Sequence, residues 1–246
     1  MNEIVRVYSH PRSGTHFLLD LLYRNFFSDQ DMSSDANLMM SGHWSKKISH
    51  HGQRFLLDGV EMGQTFTIPY ARLFGSHTIQ PPRNVKRSIY IVRDGRDVAL
   101  SCFSWKDSMP ERMEPLSLTD FLLQKIDWIG SFGYRENHPH MRIFDHWKMH
   151  VENYYNSHMS MIYYEDLISN PEAIISLIAD VFDLDFVQDF EDVIEDVGWN
   201  PSHNKGASKW RDVMSPADII LFNEAVPRHF IGRWDNDHNR RIDGKE

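Results

Sequence analysis

Residues 10–16, His-Pro-Arg-Ser-Gly-Thr-His, gather a guanidinium, two hydroxyls, a proline and a glycine in one short stretch. Proline, glycine and hydroxyl residues mark a loop. Arg12, Ser13 and Thr15 are side-chain donors, so the chemistry on offer is the binding of an anion, a phosphate or a sulfate. The flanks give the loop its place. Ile4, Val5, Val7 and Tyr8 are the β-branched, apolar and aromatic residues of a buried strand. From His16 onward, Phe17, Leu18, Leu19, Leu21, Leu22, Phe26 and Phe27 are apolar on too many faces for a surface helix. A loop between a strand end and a helix start has unpaired backbone N–H groups and the positive end of the helix dipole. It is not a Walker A loop. That motif needs Gly-Lys-Ser/Thr, whereas Gly14 is followed by Thr15-His16 and the basic residue, Arg12, precedes the glycine. A Mg-NTP-dependent kinase or ATPase is therefore disfavoured.

The remaining elements must hold that loop. Residues 71–82 form a short strand-like run that stops at Pro81-Pro82 and places His77 near a strand end. Ile89, Tyr90, Ile91 and Val92 make a continuous apolar run within Arg87–Arg93, the pattern of a central parallel strand. Asp94 is a helix N-cap, with Asp97 three residues on as a loose capping box. Val98, Ala99, Cys102 and Trp105 then form a helical face. Ser117 caps a helix expected through Phe121, Ile126 and Ile129, and another helix lies near 142–155. Met159–Tyr164 is a strand. Asn170-Pro171-Glu172 starts a helix whose core face is Ile174, Ile175, Ile178 and Phe182. Ser215-Pro216-x-Asp218 starts a last helix, to about Phe230, and residues 235–246 are a charged tail expected to be loose. Strands alternating with helices predict an α/β fold with a mainly parallel sheet. Ligands of such sheets bind beyond the carboxyl ends of the strands. That edge would gather the loop at 10–16, His77, Arg93 and the stretch after Tyr164.

Bulk properties bound the rest. The chain has 246 residues, 41% apolar, 25% charged, which suits one domain over 1–246. At this length about 70–75% of the extended surface can be buried, so a sizeable core is available. A formal charge of −9 argues against extended nucleic-acid binding. The single cysteine, Cys102, excludes an internal disulfide and any zinc site built on several cysteines, and it fits a reducing compartment. No apolar run approaches the roughly 20 residues of a membrane span, and no signal peptide precedes Ile4, so the chain is expected in the cytoplasm. His43, His50 and His51 fall in a polar stretch without carboxylate or cysteine at ligand spacing, and read as incidental. His146 and His150 stand four apart on a helix, with no third ligand apparent, and read as packing or surface residues. No metal site is expected.

Five segments, taken together and in order, resemble the sulfotransferases. Pro11–Leu18, PRSGTHFL, is similar to that family's 5′-phosphosulfate loop, Pro-Lys-Ser-Gly-Thr-Thr-Trp-Leu. RSIYIVRDGRDVALSCFS resembles its 3′-phosphate segment, with Arg93 at the strand end and Ser101 eight positions later. ARLFGSH resembles the segment that ends in the catalytic histidine, here His77. IYYEDLISNPEAII resembles the stretch whose tyrosine, here Tyr164, lies near the adenine, and NKGASKW resembles the late element that closes on the 3′-phosphate.

The resemblance implies a P-loop-like three-layer fold and sulfuryl transfer from 3′-phosphoadenosine 5′-phosphosulfate to a hydroxyl, or an amine, without a metal. It implies that His77 is the general base and that Arg12 stabilises the leaving oxygen. Ser13, Gly14, Thr15 and His16 would hold the 5′-phosphate. Arg93, Ser101, Lys205 and Gly206 would hold the 3′-phosphate, and Phe17 and Tyr164 would lie by the adenine. The acceptor, a small molecule or a glycan, would lie over the loops at 28–70 and 105–140. Departures are clear: Arg12 replaces a lysine, His16 a threonine, Gly75 a lysine and Asn204 an arginine. Two other readings stand beside this one, a nucleotide-dependent phosphotransferase and a non-catalytic nucleotide-binding protein on the same fold.

Overall fold

The computed structural model describes residues 5–26, 56–57, 60–61, 65–67, 73–82, 86–104, 117–126, 140–192 and 206–242. In chain order the elements are β1 (Val5–Ser9), α1 (Thr15–Phe26), β2 (Leu56–Leu57), β3 (Val60–Glu61), β4 (Thr65–Thr67), β5 (Leu73–Ser76) and β6 (Ser88–Val92). They continue with α2 (Gly95–Ser104), α3 (Leu118–Leu123), α4 (Ile143–Asn156), β7 (Ser160–Tyr163), α5 (Tyr164–Ser169) and α6 (Pro171–Phe182). The chain ends with α7 (Trp210–Val213), α8 (Pro216–Ala225) and α9 (Arg228–Ile242).

β1 runs through the middle of a sheet ordered β4-β5-β1-β6-β7. β5, β1, β6 and β7 are parallel, with Tyr8 level with Ser76 and Tyr90, and Val92 level with Tyr163. β4 adds an antiparallel edge to β5, and β2 pairs with β3 apart from this sheet. The period-2 alternation of strand side chains sends residues to two cores. Val5, Val7, Ile89 and Ile91 join Leu18, Leu21 and Leu22 of α1 and Ile175 and Ile178 of α6 on one face. Tyr8, Tyr90 and Val92 join Val98 of α2, Trp147 and Val151 of α4 and Phe222 of α8 on the other. Helices on both faces of a mainly parallel sheet make the three-layer architecture, and each fully buried Leu, Ile or Phe contributes about 1.5–3 kcal/mol to it. The strand order places a topological switch at β1, since β5 follows it on one side and β6 on the other. A ligand crevice belongs there, outside the carboxyl ends.

Several boundaries differ from the sequence reading for identifiable reasons. α3 keeps its Ser117 cap, whose hydroxyl accepts from Asp120 N at 3.2 Å, but it stops at Leu123. Beyond it, Ile126 exchanges backbone hydrogen bonds with Met141 instead of continuing the helix. At the C-terminal end the Ser215–Asp218 capping box forms, but Val226 is extended before Pro227, so two helices replace one and the second runs to Ile242. The segment expected to be loose from 235 is therefore helical as far as 242. Asn170 accepts from Ala173 N and caps α6 as expected. Among the described residues no helix is long and apolar enough to cross a membrane. His43, His50, His51, Asn204, Lys205, Trp105, Ile129 and most of the loops at 28–70 and 105–140 lie outside the described residues.

Candidate active site

The carboxyl end of each parallel strand carries a residue singled out from the sequence. β1 is followed by the loop at 10–14, β5 by His77, β6 by Arg93, and β7 by Tyr164. The loop is built by its backbone. Arg12 has φ of 69° and Gly14 of 94°, with Ser13 between them at negative φ. Such alternation is the backbone geometry of a nest, in which successive N–H groups converge, and α1 begins directly after it. Ser13 N bonds back to the His10 carbonyl at 3.2 Å, which closes the turn. Ser13 Oγ is buried and has no hydrogen-bond partner among the described residues. Thr15 Oγ1 contacts Ser9 Oγ. His16 lies in the first turn of α1.

Gly14 has a further reason to be glycine. A Cβ there would lie 2.3 Å from Cδ2 and 2.7 Å from Cε2 of Tyr164. The Gly14→Ala variant therefore meets both a left-handed backbone and an occupied space. Together these are expected to cost about 2–5 kcal/mol. Trimming Tyr164 to alanine in the same protein removes the clash and leaves the backbone strain. In a double-mutant cycle followed by urea unfolding, the two substitutions should couple favourably; additive effects would show that Tyr164 does not press on the loop.

The residues expected at the 3′-phosphate meet the loop directly. Arg93 Nη1 donates to the Arg12 carbonyl at 3.3 Å and Nη2 to the Gly206 carbonyl at 3.0 Å. Its guanidinium carbon sits 4.5 Å above the Tyr164 ring, a cation–π contact. Arg93 Nε is buried and has no hydrogen-bond partner among the described residues. Arg12 Nε donates to Ser101 Oγ at 3.0 Å. Burial lowers the Arg12 pKa, and repulsion from Arg93 adds to this. Two guanidinium groups thus stand close enough to repel each other, both against one loop. Phe17 is buried in the core, edge-on to Tyr164 at 6.5 Å between centroids.

His77 is 6% exposed, with Nδ1 2.9 Å from the Ser9 carbonyl and 3.0 Å from Ser9 Oγ. A carbonyl only accepts, so Nδ1 carries the proton and Nε2 carries the lone pair. Burial, with a smaller contribution from the Arg12 charge, pushes the His77 pKa down to about 4, against the opposing pull of the Ser9 hydrogen bond. The imidazole is neutral at physiological pH, the state a general base requires. Gly75, the departure two residues before it, approaches α1: a Cβ there would lie 2.7 Å from Leu19 Cδ1. A lysine would have to displace that contact.

Two acidic residues have roles that the sequence did not reveal. In a closed capping box at the start of α2, Asp97 would accept from Asp94 N. Instead Glu165 Oε1 takes that N–H at 3.0 Å, and the Asp94 carboxylate pairs with Arg96. Asp97 is left to accept from Trp210 N at 3.0 Å and Ser208 N at 2.6 Å. It thereby anchors the segment whose Gly206 carbonyl receives Arg93. Burial raises the pKa of both Asp97 and Glu165. The pair Tyr164-Glu165 so serves β7's end twice, the ring over Gly14 and the carboxylate on Asp94. Among the described residues no group of three or more His, Cys, Asp or Glu side chains is arranged to hold a metal ion.

Comparison with known proteins agrees with this geometry. Residues 4–215 match the family model of the sulfotransferase domain. The fold is similar to that of mouse sulfotransferase SULT7A1 complexed with PAP, at 16% identity over 98% of this chain and 90% of that one, with a TM-score of 0.55. Retinol dehydratase in complex with androsterone and inactive cofactor PAP matches at 13% identity over 91% of this chain and 79% of that one. Its TM-score of 0.47 is too low to bear on the fold. No curated protein is significantly similar in sequence. A nest at the switch point of a parallel sheet, paired arginines against it and a domain match over most of the length lead to one assignment: the chain belongs to the sulfotransferase family.

Proposed function

We propose that this sulfotransferase moves a sulfuryl group from 3′-phosphoadenosine 5′-phosphosulfate to a hydroxyl, or an amine, of a small molecule or glycan. The observation that supports the donor's identity is the pairing of Arg12, in the loop, with Arg93, which reaches the loop from the end of β6, the two repelling each other. Each is accompanied by a buried donor without a hydrogen-bond partner among the described residues, Ser13 Oγ in the nest and Arg93 Nε beside it. One anion would occupy the nest. A second would satisfy Arg93, and a nucleotide phosphorylated at both 5′ and 3′ positions supplies both. The residues present fit that donor.

The nest N–H groups with Ser13, Thr15 and His16 would hold the 5′-phosphate. Arg93, Ser101, Lys205 and Gly206 would hold the 3′-phosphate, and Tyr164 with Phe17 would wall the adenine. As the acceptor oxygen forms its bond to sulfur, the bond from sulfur to the 5′-phosphate oxygen breaks and His77 Nε2 takes the hydroxyl proton. The products are the sulfated acceptor and the bisphosphorylated nucleotide. Negative charge brought by the donor would raise the His77 pKa from its low value toward neutrality, which strengthens it as a base when the donor is bound. Arg12 would stabilise the leaving oxygen as a fixed charge, since a guanidinium does not readily give up a proton. Positioning and charge stabilisation do most of the work in such transfers. The enzyme is read as one domain, and buried free Cys102 fits a cytoplasmic setting.

The 3′-phosphate contact gives a direct test. A charge-assisted hydrogen bond contributes about 1.5–3 kcal/mol, so 3′-phosphoadenosine 5′-phosphate should bind on the order of a hundredfold more tightly than AMP by titration calorimetry. Equal affinities would remove the donor assignment. A Mg²⁺ requirement with ATP turnover would point instead to phosphotransfer.

A further inference from the structure

Behind the reaction residues lies a set of buried side chains that sulfuryl transfer itself does not use. His10, His146 and His150 are fully buried, and so is Tyr90 of β6. Each bond among them has a direction fixed by simple rules. His10 Nδ1 lies 2.7 Å from the Pro11 carbonyl, which only accepts, so Nδ1 carries the proton and Nε2 the lone pair. Nε2 then accepts from His146 Nδ1–H at 2.9 Å. His150 Nε2 lies 3.3 Å from the His77 carbonyl and must donate to it. Its Nδ1 therefore accepts from the Tyr90 hydroxyl at 3.0 Å. Burial lowers the pKa of His10 to about 3 and that of His150 well below the usual histidine value. The His10 and His150 imidazoles are neutral, each with one donating and one accepting nitrogen.

His146 and His150 stand one turn apart on α4, yet reach two segments distant in sequence. His146 grips the start of the anion loop through His10. His150 grips the backbone of the proposed base. The His77 carbonyl lies one residue beyond the end of β5, where the ladder no longer supplies a donor. His77 is consequently fixed at both ends: its ring by the Ser9 carbonyl, its main chain by His150. A displacement of an ångström at such a group costs on the order of a hundredfold in rate.

We propose that the histidine pair on α4, completed by Tyr90, is a positioning device that sets the base and the donor loop in register with each other. His150 acts through His77 and His146 through His10. Neither touches the substrate. The inference rests on reading His77 as the base.

Three substitutions at one position separate positioning from packing. His150→Gln keeps an N–H near ring Nε2, directed at the His77 carbonyl. His150→Asn keeps an acceptor near ring Nδ1 for Tyr90 and loses the N–H. His150→Phe fills the space and keeps neither. The readouts are the His77 tautomer by nitrogen-15 NMR, affinity for 3′-phosphoadenosine 5′-phosphate, kcat and donor KM over a panel of phenols, alcohols and amines, and the melting temperature. H150Q should retain a single Nδ1–H tautomer at His77 and a kcat within a few-fold of the parent. H150N and H150F should show mixed tautomers and a kcat at least tenfold lower, with donor KM little changed. If H150F does not fold, the Gln/Asn contrast carries the test alone. A single His77 tautomer in H150N or H150F, or a kcat that follows melting temperature across all variants, overturns the inference. An active His77→Asn variant overturns the reading of His77 as base, and it leaves the tautomer result at position 150 to be judged separately.

Discussion

Replacing His77 by asparagine should lower kcat by about 10²- to 10⁴-fold, the span of general-base contributions, while nucleotide affinity stays within a few-fold of the parent. Asparagine is the informative choice. Its amide nitrogen lies near the position of ring Nδ1, so it can keep the hydrogen bond to the Ser9 carbonyl seen at 2.9 Å. It has no counterpart to Nε2. The substitution thus removes the lone pair and retains the anchor, whereas His77→Ala also opens a cavity and loses the bond. Affinity should hold because the donor contacts are assigned to the loop, Arg93 and their neighbours, not to His77. Asparagine and alanine should lose turnover alike and differ in stability, alanine being the less stable. A kcat for His77→Asn within a few-fold of the parent would falsify the base assignment. Loss of nucleotide binding in the same variant would mean that His77 supports the loop rather than the chemistry, since Ser9 also contacts Thr15 at the head of α1.

The parts of this site that the sequence disclosed are those in which residue type and local geometry coincide. The run from Val5 to Tyr8 can only be a strand with two buried faces, and a buried helix must follow the donors of the loop. The strand, the donor-bearing loop and the buried helix are therefore legible before any fold is known. Arg93 is legible for the same reason, because the apolar run Ile89–Val92 ends on it. His77 needed more, since histidines are common in this chain and this one was marked only by the end of a short strand together with the resemblance of the flanking ARLFGSH. What the sequence did not disclose are exchanges of partners across the fold. Asp97 looks like half of a capping box, and its residue type fits that role well. Its carboxylate is released to hold Ser208 and Trp210 only because Glu165, far along the chain, takes the Asp94 N–H. No local pattern carries that information. The histidines of α4 show only their spacing in the sequence. That both are buried, and that they face His10 and the His77 carbonyl, follows from α4 packing over the face of the sheet that carries Tyr8 and Tyr90. The split at Pro227 was readable in principle. A proline after a residue held extended ends a helix, and it was the long charged continuation beyond it that masked a further helix.

The same buried imidazoles should make the protein unusually sensitive to mild acid. The sign follows from proton uptake. An unfolded histidine titrates near 6.5, whereas folded His10 and His77 titrate near 3 and 4, because burial penalises the charged ring. Between these values the unfolded chain binds more protons than the native one, so stability falls as pH falls through that window. At pH 5 the solution is about 1.5 units below the unfolded value, while both folded groups are still mostly neutral. At 1.36 kcal/mol per unit this is about 2 kcal/mol each, or about 4 kcal/mol together. His150 acts in the same direction. Native domains are stable by only about 5–15 kcal/mol, so the loss is a large share of the total. Asp97 and Glu165 work against it. Their raised values mean that the native state takes up protons before the unfolded chain does, which offsets part of the loss toward the acid end. The net expectation is a melting temperature nearly constant from pH 8 to 7 and falling steeply from 6.5 to 5. The H150Q variant, which has one fewer titrating group in the cluster, should fall less steeply over the same range. A melting temperature that stays level to pH 5 would show that these histidines can charge inside the fold. The neutral bond directions assigned to His10, His77 and His150 would then be wrong.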